Sequence, residues 1–513
     1  MNTDTSNSKM WVLLAVCVPL FCGVLNASAV GVVLPAIVAD LDVAPGQLPW
    51  LMTGFLLVYG IAIPFYGRLA DLHGARRLFL LGVAVFSLGS LFAALAPSFA
   101  WLLAARVIQA IGGAAVPSLG MTLASRAYGQ SARGTVLGII AATIGAGAAI
   151  GPLVGGILSE TLGWQAIFVF TALAALAVPF GLKVLPRDEE LTRGRLDIPG
   201  GVALALLVAG ALLVPTEGAR AGWTSPLAIV GASMAAAGLA ILIFRQLTAD
   251  HPFIPTEFLR NGRYVILVCI SFFAMAANLA PLIGLPIFLA LAYRLPPLDI
   301  GLVLLPGAVA SSVFGIIAGR ITDRKDPRLP IWAGSPLMLL GVVGLSAYAG
   351  SPVWVIAVFT GILGAGFGLM NTPLAATISR IVSGPMLASA LSINSMLFFL
   401  GGSFGTAALM AVVNSRTAGS SQPLNPLHSS FQAGSTVAFS DAFLILAAPV
   451  ILAMGLSLSM AKSRGPAAIE APAPQEPAPI IQWVPDCSVP WMPECSETAV
   501  QEPEKVPAAA GAG

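Results

Sequence analysis

Charged side chains are scarce in this sequence. Only 9% of its 513 residues are Asp, Glu, Lys or Arg, 25 basic and 23 acidic, where a soluble globular chain carries about 25%. So few charges cannot hold a chain of this size in water. That excludes a soluble enzyme, a disordered protein and a nucleic-acid binder. Histidine is scarcer still: His73, His251 and His428 all fall between apolar runs. The five cysteines give no disulfide framework. Cys17, Cys22 and Cys269 lie inside apolar runs, where cysteine is a small hydrophobe, and Cys487 and Cys495 lie near the C-terminus. The apolar residues come in long runs instead of alternating with polar ones, which excludes an outer-membrane barrel. What is abundant is apolar: 57% of the residues, with a mean hydropathy of +0.90. The remaining class is an all-α polytopic membrane protein, whose first partner is the lipid bilayer.

A spanning helix needs about 20 mostly apolar residues. Fourteen segments qualify, at roughly 11–38, 48–66, 78–96, 99–124, 135–158, 164–185, 198–214, 226–244, 264–292, 300–318, 330–349, 353–374, 388–413 and 441–460. Those at 198–214 and 226–244 are the shortest of argument. Lys9, the apolar stretch from Trp11 and Ala27-Ser28-Ala29 imitate a signal peptide, but the apolar run continues through Leu34, past the apparent cleavage site.

Lysine and arginine set the orientation. With the N-terminus inside, the inner loops receive Arg68, Arg76, Arg77, Arg126, Arg133, Arg187, Arg193 and Arg195 from the first half. Arg245, Arg260, Arg263, Arg320, Arg324, Lys325, Arg328, Arg380, Lys462 and Arg464 follow. The outer loops hold only Arg220, Arg294 and Arg416. The count predicts an even number of spans and both termini in the cytoplasm. If either weak segment were a surface loop, the two halves would face opposite sides, against this pattern.

An internal repeat points the same way. Gly67-Arg68-Leu69-Ala70-Asp71 is echoed by Gly319-Arg320-Ile321-Thr322-Asp323, and Arg76 by Arg328 at the same offset. Each copy follows a long apolar run and enters a basic inner loop, as in transporters built from two related halves. The expected organisation is a cytoplasmic N-terminus (1–10), a six-helix half (11–185), a cytoplasmic linker (186–197), two extra spans (198–244), a cytoplasmic loop (245–263), a second six-helix half (264–460) and a disordered cytoplasmic tail (461–513). The tail repeats Trp483-Val484-Pro485-Asp486-Cys487-Ser488 as Trp491-Met492-Pro493-Glu494-Cys495-Ser496. A soft-metal site or a docking motif for a soluble partner is one reading. A solvated tail with an accidental duplication is preferred, since two thiols do not complete a structural zinc site.

Three further patterns carry mechanism. Gly67 through Arg77 (Gly67-Arg68-Leu69-Ala70-Asp71-Leu72-His73-Gly74-Ala75-Arg76-Arg77) resembles the inner-loop signature of the major facilitator superfamily. Gly147, Gly151, Pro152, Gly155 and Gly156 resemble its antiporter motif on the fifth helix, and Arg106-x-x-Gln109 its fourth-helix motif. With fourteen spans, the chain resembles the drug:proton antiporter branch over about residues 10–460. The resemblance implies two six-helix major-facilitator halves plus two extra central spans in the plasma (inner) membrane. It implies a small-molecule substrate, exported by alternating access, and no cofactor.

The residues also have physical readings of their own. Gly67 and Gly74 allow a tight turn between helix ends, and Asp71 can sit against a helix N-terminus or pair with an inner arginine. The cluster Gly67, Arg68, Asp71, Gly74, Arg76 and Arg77, with Arg320 and Asp323, would then latch the halves in one facing state. The plainer reading is that the arginines only set topology, but topology needs no acid, and Asp71 and Asp323 recur. Gly147, Gly151 and Gly155 line one helix face and permit close approach. Pro152 should bend the helix. The face suits a sliding contact or static packing, and the resemblance favours the former. Arg106 is the one charge placed well inside a span, with Gln109 on the same face. It is expected to line the central cavity.

The first span departs from the branch. In Leu25-Asn26-Ala27-Ser28-Ala29-Val30-Gly31-Val32-Val33-Leu34-Pro35, Asn26 stands where the branch usually has Asp, Ser28 where it has Thr and Gly31 where it has Asn. No acid is expected deep in any span. The nearest, Asp40, Asp42 and Asp441, fall at or near outer helix ends. Proton coupling needs a group that titrates through the cycle, and Asn26 cannot. A cavity with Arg106 as its formal charge suits neutral or anionic compounds, with Asn278, Asn371 and Asn394 as hydrogen-bonding groups of the second half. The leading function is a secondary transporter exporting small amphipathic molecules. The alternatives are a facilitator or exchanger without proton coupling, and a non-transporting scaffold or sensor. An enzyme is not indicated: there is no intramembrane acid/base pair, nucleotide motif or Cys/His metal spacing.

The topology has a direct check. A reporter fused to the C-terminus should be active only when placed in the cytoplasm. Activity confined to the outer side would overturn the assignment.

Overall fold

The computed structural model describes residues 3–41, 50–128, 132–187, 196–382, 384–417, 424 and 435–459. Among them every regular element is helical, as hydrocarbon requires of a chain that must pair its own backbone groups. Fourteen helices are long and apolar enough to span a membrane. In chain order they are Lys9–Leu34, Trp50–His73, Ala75–Ala94, Phe99–Tyr128, Arg133–Leu162, Gln165–Val184, Ile198–Gly218, Pro226–Thr248, Gly262–Ala292, Asp299–Arg324, Arg328–Ala347, Val353–Ile381, Leu387–Arg416 and Thr436–Ser459. They are called the first to fourteenth spans below. The protein is a multi-pass membrane protein of two six-span halves with a helical pair between them. The tail and its Trp/Cys repeat lie outside the described residues.

Several spans are longer than the hydropathy predicts, most of them at the basic end of the bundle. The second runs to His73 and the tenth to Arg324. Both copies of the glycine–arginine–aspartate repeat are therefore helix, not loop. Gly67 makes no turn: it lies within the second span, and a Cβ there would collide with Ser392 of the thirteenth. Only Gly74 turns the chain, at φ 102°, a left-handed conformation that side chains rarely adopt. The fourth span is interrupted at Ala114. Pro117 follows three residues later, and its missing N–H leaves the Gly113 carbonyl without its helical donor.

Both weakly argued segments are spans. The seventh packs on the second, where Leu212 touches Gly60, and on the eighth through Gly210 and Gly231. At the basic end Asp197 closes this hairpin. It accepts from Arg245 at 2.7 Å and from the Gly200 and Phe253 amides at 3.1 and 3.3 Å. The seventh span's helix continues to Ala221, so Glu217 is a buried residue (4% exposed) at the far end of that span, not a loop residue.

Asp441 lies near the start of the fourteenth span, which begins at Thr436, and its side chain is fully buried and paired at 2.5 Å with Arg416, the last residue of the thirteenth. The Leu424 amide donates to its other oxygen at 2.7 Å. A carboxylate held by a guanidinium and an amide can be buried where an unpaired one could not.

The hydrophobic cores follow the halves. One is built from spans nine to fourteen. The core of the first half also takes in Ala375, Ala376 and Ala388, so the seam between the halves is closed at the basic end.

Candidate functional site

Arg106 is fully buried in the first half. It lies on the fourth span about 7 Å along the axis from Trp101, whose ring is exposed. Its Nη1 donates to Asn26 Oδ1 at 2.7 Å and to Gln109 Oε1 at 2.5 Å. Gln109 Nε2 donates to Ser90 Oγ at 2.6 Å, and Asn26 Nδ2 to Thr171 Oγ1 at 3.1 Å. The guanidinium carbon lies 4.0 Å from the centre of the Phe55 ring. Spans one, two, three, four and six thus meet at one polar cluster. Asn26, Ser90, Gln109 and Thr171 are as buried as Arg106.

The charge is held by dipoles and a ring, not by an acid. An arginine at the centre of a span costs about 2.5–3.5 kcal/mol on insertion scales. Two charge-assisted hydrogen bonds and a desolvated cation–π contact, each worth about 2 kcal/mol, are enough to offset that. Among the described residues, Nε and Nη2 of Arg106 still have no hydrogen-bond partner.

Asn26, Arg106 and Gln109 therefore come together as the sequence suggests, but not on a cavity wall. All three are enclosed within the first half. The second-half amides are elsewhere. Asn278 and Asn371 are half-buried, Asn394 is buried with its Oδ1 unpartnered, and among the described residues no hydrogen bond joins them to Arg106. A small apolar cavity at the seam is lined by Leu56, Tyr59, Leu279, Met396 and Phe399, among others. Aromatic rings connect it to the polar cluster. Phe55 stacks on Tyr59 at 5.6 Å, and Tyr59 meets Phe399 of the other half edge-on at 5.3 Å. Phe55 and Tyr59 escaped the sequence reading, although a four-residue spacing put them on one face.

The basic end of the seam carries a second constellation. Asp323, at the end of the tenth span, caps the start of the fifth. It accepts from the Gly134 and Thr135 amides and from Thr135 Oγ1, all at 2.7 Å, and from Arg380 Nη2 at 3.2 Å. Asp71, at the end of the second span, accepts from the Ser389 amide at 3.3 Å, at the start of the thirteenth. Each aspartate thus supplies negative charge to the unsatisfied amides of a helix in the opposite half. The glycines four residues earlier do the matching steric work, since a Cβ on Gly319 would strike Gly134 as one on Gly67 would strike Ser392.

The other candidates divide. Arg68 is buried (6% exposed) and acts on the Asp71 charge. Arg76 donates to the Leu182 carbonyl within its own half. Arg77 and Arg320 are exposed. Arg133 joins the seam unpredicted, donating to the Ser379 carbonyl of the other half. Gly147, Gly151 and Gly155 face the first span, against Val24, Ser28 and Ala29, so that motif packs within one half. Gly156 has open space beside it, and Pro152 lies within a helix that continues to Leu162. The face of the fifth span that meets the other half is instead Gly134, Gly138 and Gly145, against Gly319, Gly315 and Ser312. Asp40 lies beyond the end of the first span and accepts from the Trp164 indole at 2.9 Å and from Gln165 at 3.2 Å. Asp42 lies outside the described residues.

The profile of the Major Facilitator Superfamily matches residues 16–406. The chain is 32% identical over 454 residues to the cephamycin export protein CmcT of Amycolatopsis lactamdurans, covering 82% of this chain and 88% of that one. It is 29% identical over 413 residues to the multidrug resistance protein Stp of Mycobacterium tuberculosis, covering 80% and 76%. The crystal structure of the human organic anion transporter MFSD10 superposes with a TM-score of 0.63, over 88% of this chain and 99% of that chain. At 14% identity that likeness speaks to the fold alone.

The seam contacts rank the acids. Asp71→Asn should lower transport more than Arg320→Ala, and Asp323→Asn should lower it most, with each variant at normal level in the membrane. Hydrogen bonds to a charged group are worth about 1.5–3 kcal/mol, so losing one of them should shift the facing equilibrium by roughly ten- to a hundredfold. Initial transport rates per amount of membrane protein check this ranking. Normal rates in both aspartate variants would leave these charges with topology alone.

Proposed function

The chain belongs to the Major Facilitator Superfamily of membrane transporters, and from that membership we propose that it is an efflux permease for small amphipathic molecules, with both termini on the cytoplasmic side of the plasma membrane. The names of its relatives support export, and the lysine and arginine distribution supports the orientation. Alternating access would proceed by opening the seam that Asp71, Asp323 and Arg133 hold at the basic end, while spans five and ten part along their glycine faces.

One observation carries the substrate class. Arg106 is a buried cation whose partners are all neutral and whose Nε and Nη2 remain unpartnered. A lipophilic cation entering beside it meets repulsion with no carboxylate to offset it. An anionic molecule meets attraction, and a neutral one meets no repulsion and can accept hydrogen bonds from the guanidinium. The aromatic series Phe55, Tyr59 and Phe399 suits a flat apolar body on such a molecule. Asn278, Asn371 and Asn394 would contribute hydrogen bonds once the halves separate, whereas Asn26 and Gln109, enclosed within the first half, would act by holding Arg106.

A second reading, a facilitator or exchanger without proton coupling, is favoured by Asn26. It binds Arg106 in the position of the branch's carboxylate, and it cannot take up or release a proton near neutral pH. The missing acid makes a prediction that bears on this second reading. In proteoliposomes, substrate-evoked proton movement should be weak or absent in the wild type and should rise in Asn26→Asp. Arg106→Ala should reduce transport of anions more than of neutral compounds. Robust proton exchange in the wild type, unaffected by neutralising Asp40 and Asp42, would overturn the coupling claim. Efficient transport of permanent cations with Arg106 intact would overturn the substrate claim.

A further inference from the structure

The two copies of the repeat are alike in their aspartates and unlike in their cations. In the first copy Arg68 is buried beside Asp71, and the next positions after the aspartate are Leu72 and His73. In the second copy the matching positions are Arg320, Arg324 and Lys325, all exposed. None of the three makes an ion pair or a side-chain hydrogen bond with another described residue. Asp323 is spent on the fifth span and Arg380, and Asp326 caps the Arg328 amide at 2.9 Å. The seam between the halves needs Asp323, but it does not account for Arg324 and Lys325.

These cations surround a groove of about 460 Å³ between the ends of the tenth and eleventh spans, floored by Leu369 of the twelfth. Its other wall is apolar. Leu329 and Ala333 line it, both exposed and four residues apart on the face of the eleventh span that continues through Pro336 and Leu340. On the tenth span, exposed Val309, Val313 and Ile317 lead to Arg320 in the same way. Two exposed apolar stripes thus converge on a cluster of three positive charges at the basic end of the spans. A soluble anion would satisfy the charges and leave the stripes unused. An acyl chain alone would do the reverse.

We propose that this groove is a binding site for an anionic phospholipid, with the phosphate held by Arg320, Arg324 and Lys325 and an acyl chain lying against Leu329, Ala333 and Leu369. Guanidinium groups match phosphate oxygens in geometry, and basic pockets between spans at the membrane surface suit anionic head groups. The site depends on neither the substrate nor the direction of transport.

The test is native mass spectrometry of the purified full-length protein, titrated in detergent with phosphatidylglycerol or phosphatidylcholine. The wild type should retain phosphatidylglycerol in preference to phosphatidylcholine. The combined substitution Arg320→Gln, Arg324→Gln and Lys325→Gln should weaken retention on the order of a hundredfold, at about 1 kcal/mol per cation. Lys183→Gln with Arg187→Gln, which removes exposed cations elsewhere at the same end, should leave it unchanged. Arg320→Lys with Arg324→Lys keeps the charge and should keep the preference, which guards against a misfolded triple variant. Equal retention of the two lipids, an unchanged triple variant, or equal loss in the Lys183/Arg187 control would overturn the proposal. Displacement of the lipid by glycerol 3-phosphate at comparable concentration would also overturn it, in favour of a soluble phosphate site.

Discussion

A charge placed in hydrocarbon has to find its counterpart inside the protein. At the ends of the bundle acids and bases meet directly: Asp197 with Arg245 at 2.7 Å, Asp323 with Arg380 at 3.2 Å, Asp441 with Arg416 at 2.5 Å. These pairs sit where spans turn or touch, and each also accepts from a backbone amide. Arg106 is the exception. Its counter-charge is distributed over two amide oxygens and the face of Phe55. Five of the six spans of the first half contribute to that arrangement. The cluster therefore stitches the half together and at the same time leaves a positive potential unneutralised at its centre. Under the proposed function, recognition would draw on the same contacts that hold the half together.

The two halves grip each other by one device used twice. A helix ends on an aspartate, the aspartate meets the opening amides of a helix across the seam, and a glycine one turn earlier lets the backbones touch. The copies are not equivalent in strength. Asp323 has four donors, three of them at 2.7 Å, whereas Asp71 has a single amide at 3.3 Å and an unpartnered Oδ1. Opening need not break both at once. The side joining spans two and thirteen is the weaker, and it is the side that the extra seventh span covers.

Much of the architecture was legible in the sequence because it follows from run length and from where arginine sits. All fourteen spans are marked by hydropathy alone, and the repeated aspartates by their offset. The misses have physical causes. Hydropathy ends a span at the first polar cluster, so Gly67–His73 and Gly319–Arg324 read as loops, although a helix can carry charges past the hydrocarbon. The pairing of Asp441 with Arg416 was not legible, because the two are 25 residues apart and no local pattern announces the pair. Gly147, Gly151 and Gly155 were legible as a close-packed face, but a small-residue face does not say which helix it meets. Arg106, Asn26 and Gln109 were found individually. Their enclosure was not, because burial of a polar group depends on partners such as Ser90 and Thr171 from spans that carry no motif.

The second span joins the two constellations. Phe55 lies under Arg106, Tyr59 faces the seam, Gly67 packs on Ser392 and Asp71 reaches Ser389, all on one helix from Trp50 to His73. Phe55 and Asp71 are roughly 24 Å apart along its axis, one near the polar cluster and one at the basic end. A ligand can change the facing state only by as much as it binds one state better than the other. Under the proposed function, a molecule that draws Phe55 toward itself would pull on this helix, and the Asp71 contact at its far end is weaker than that of Asp323. Losing that amide–carboxylate bond accounts for about 1.5–3 kcal/mol of the cost of opening this side of the seam. Under the proposed function, a weak contact at Asp71 and an unneutralised charge at Arg106 would be complementary: the first would lower the free energy that opens the seam, and the second would give an anionic ligand the means to supply it.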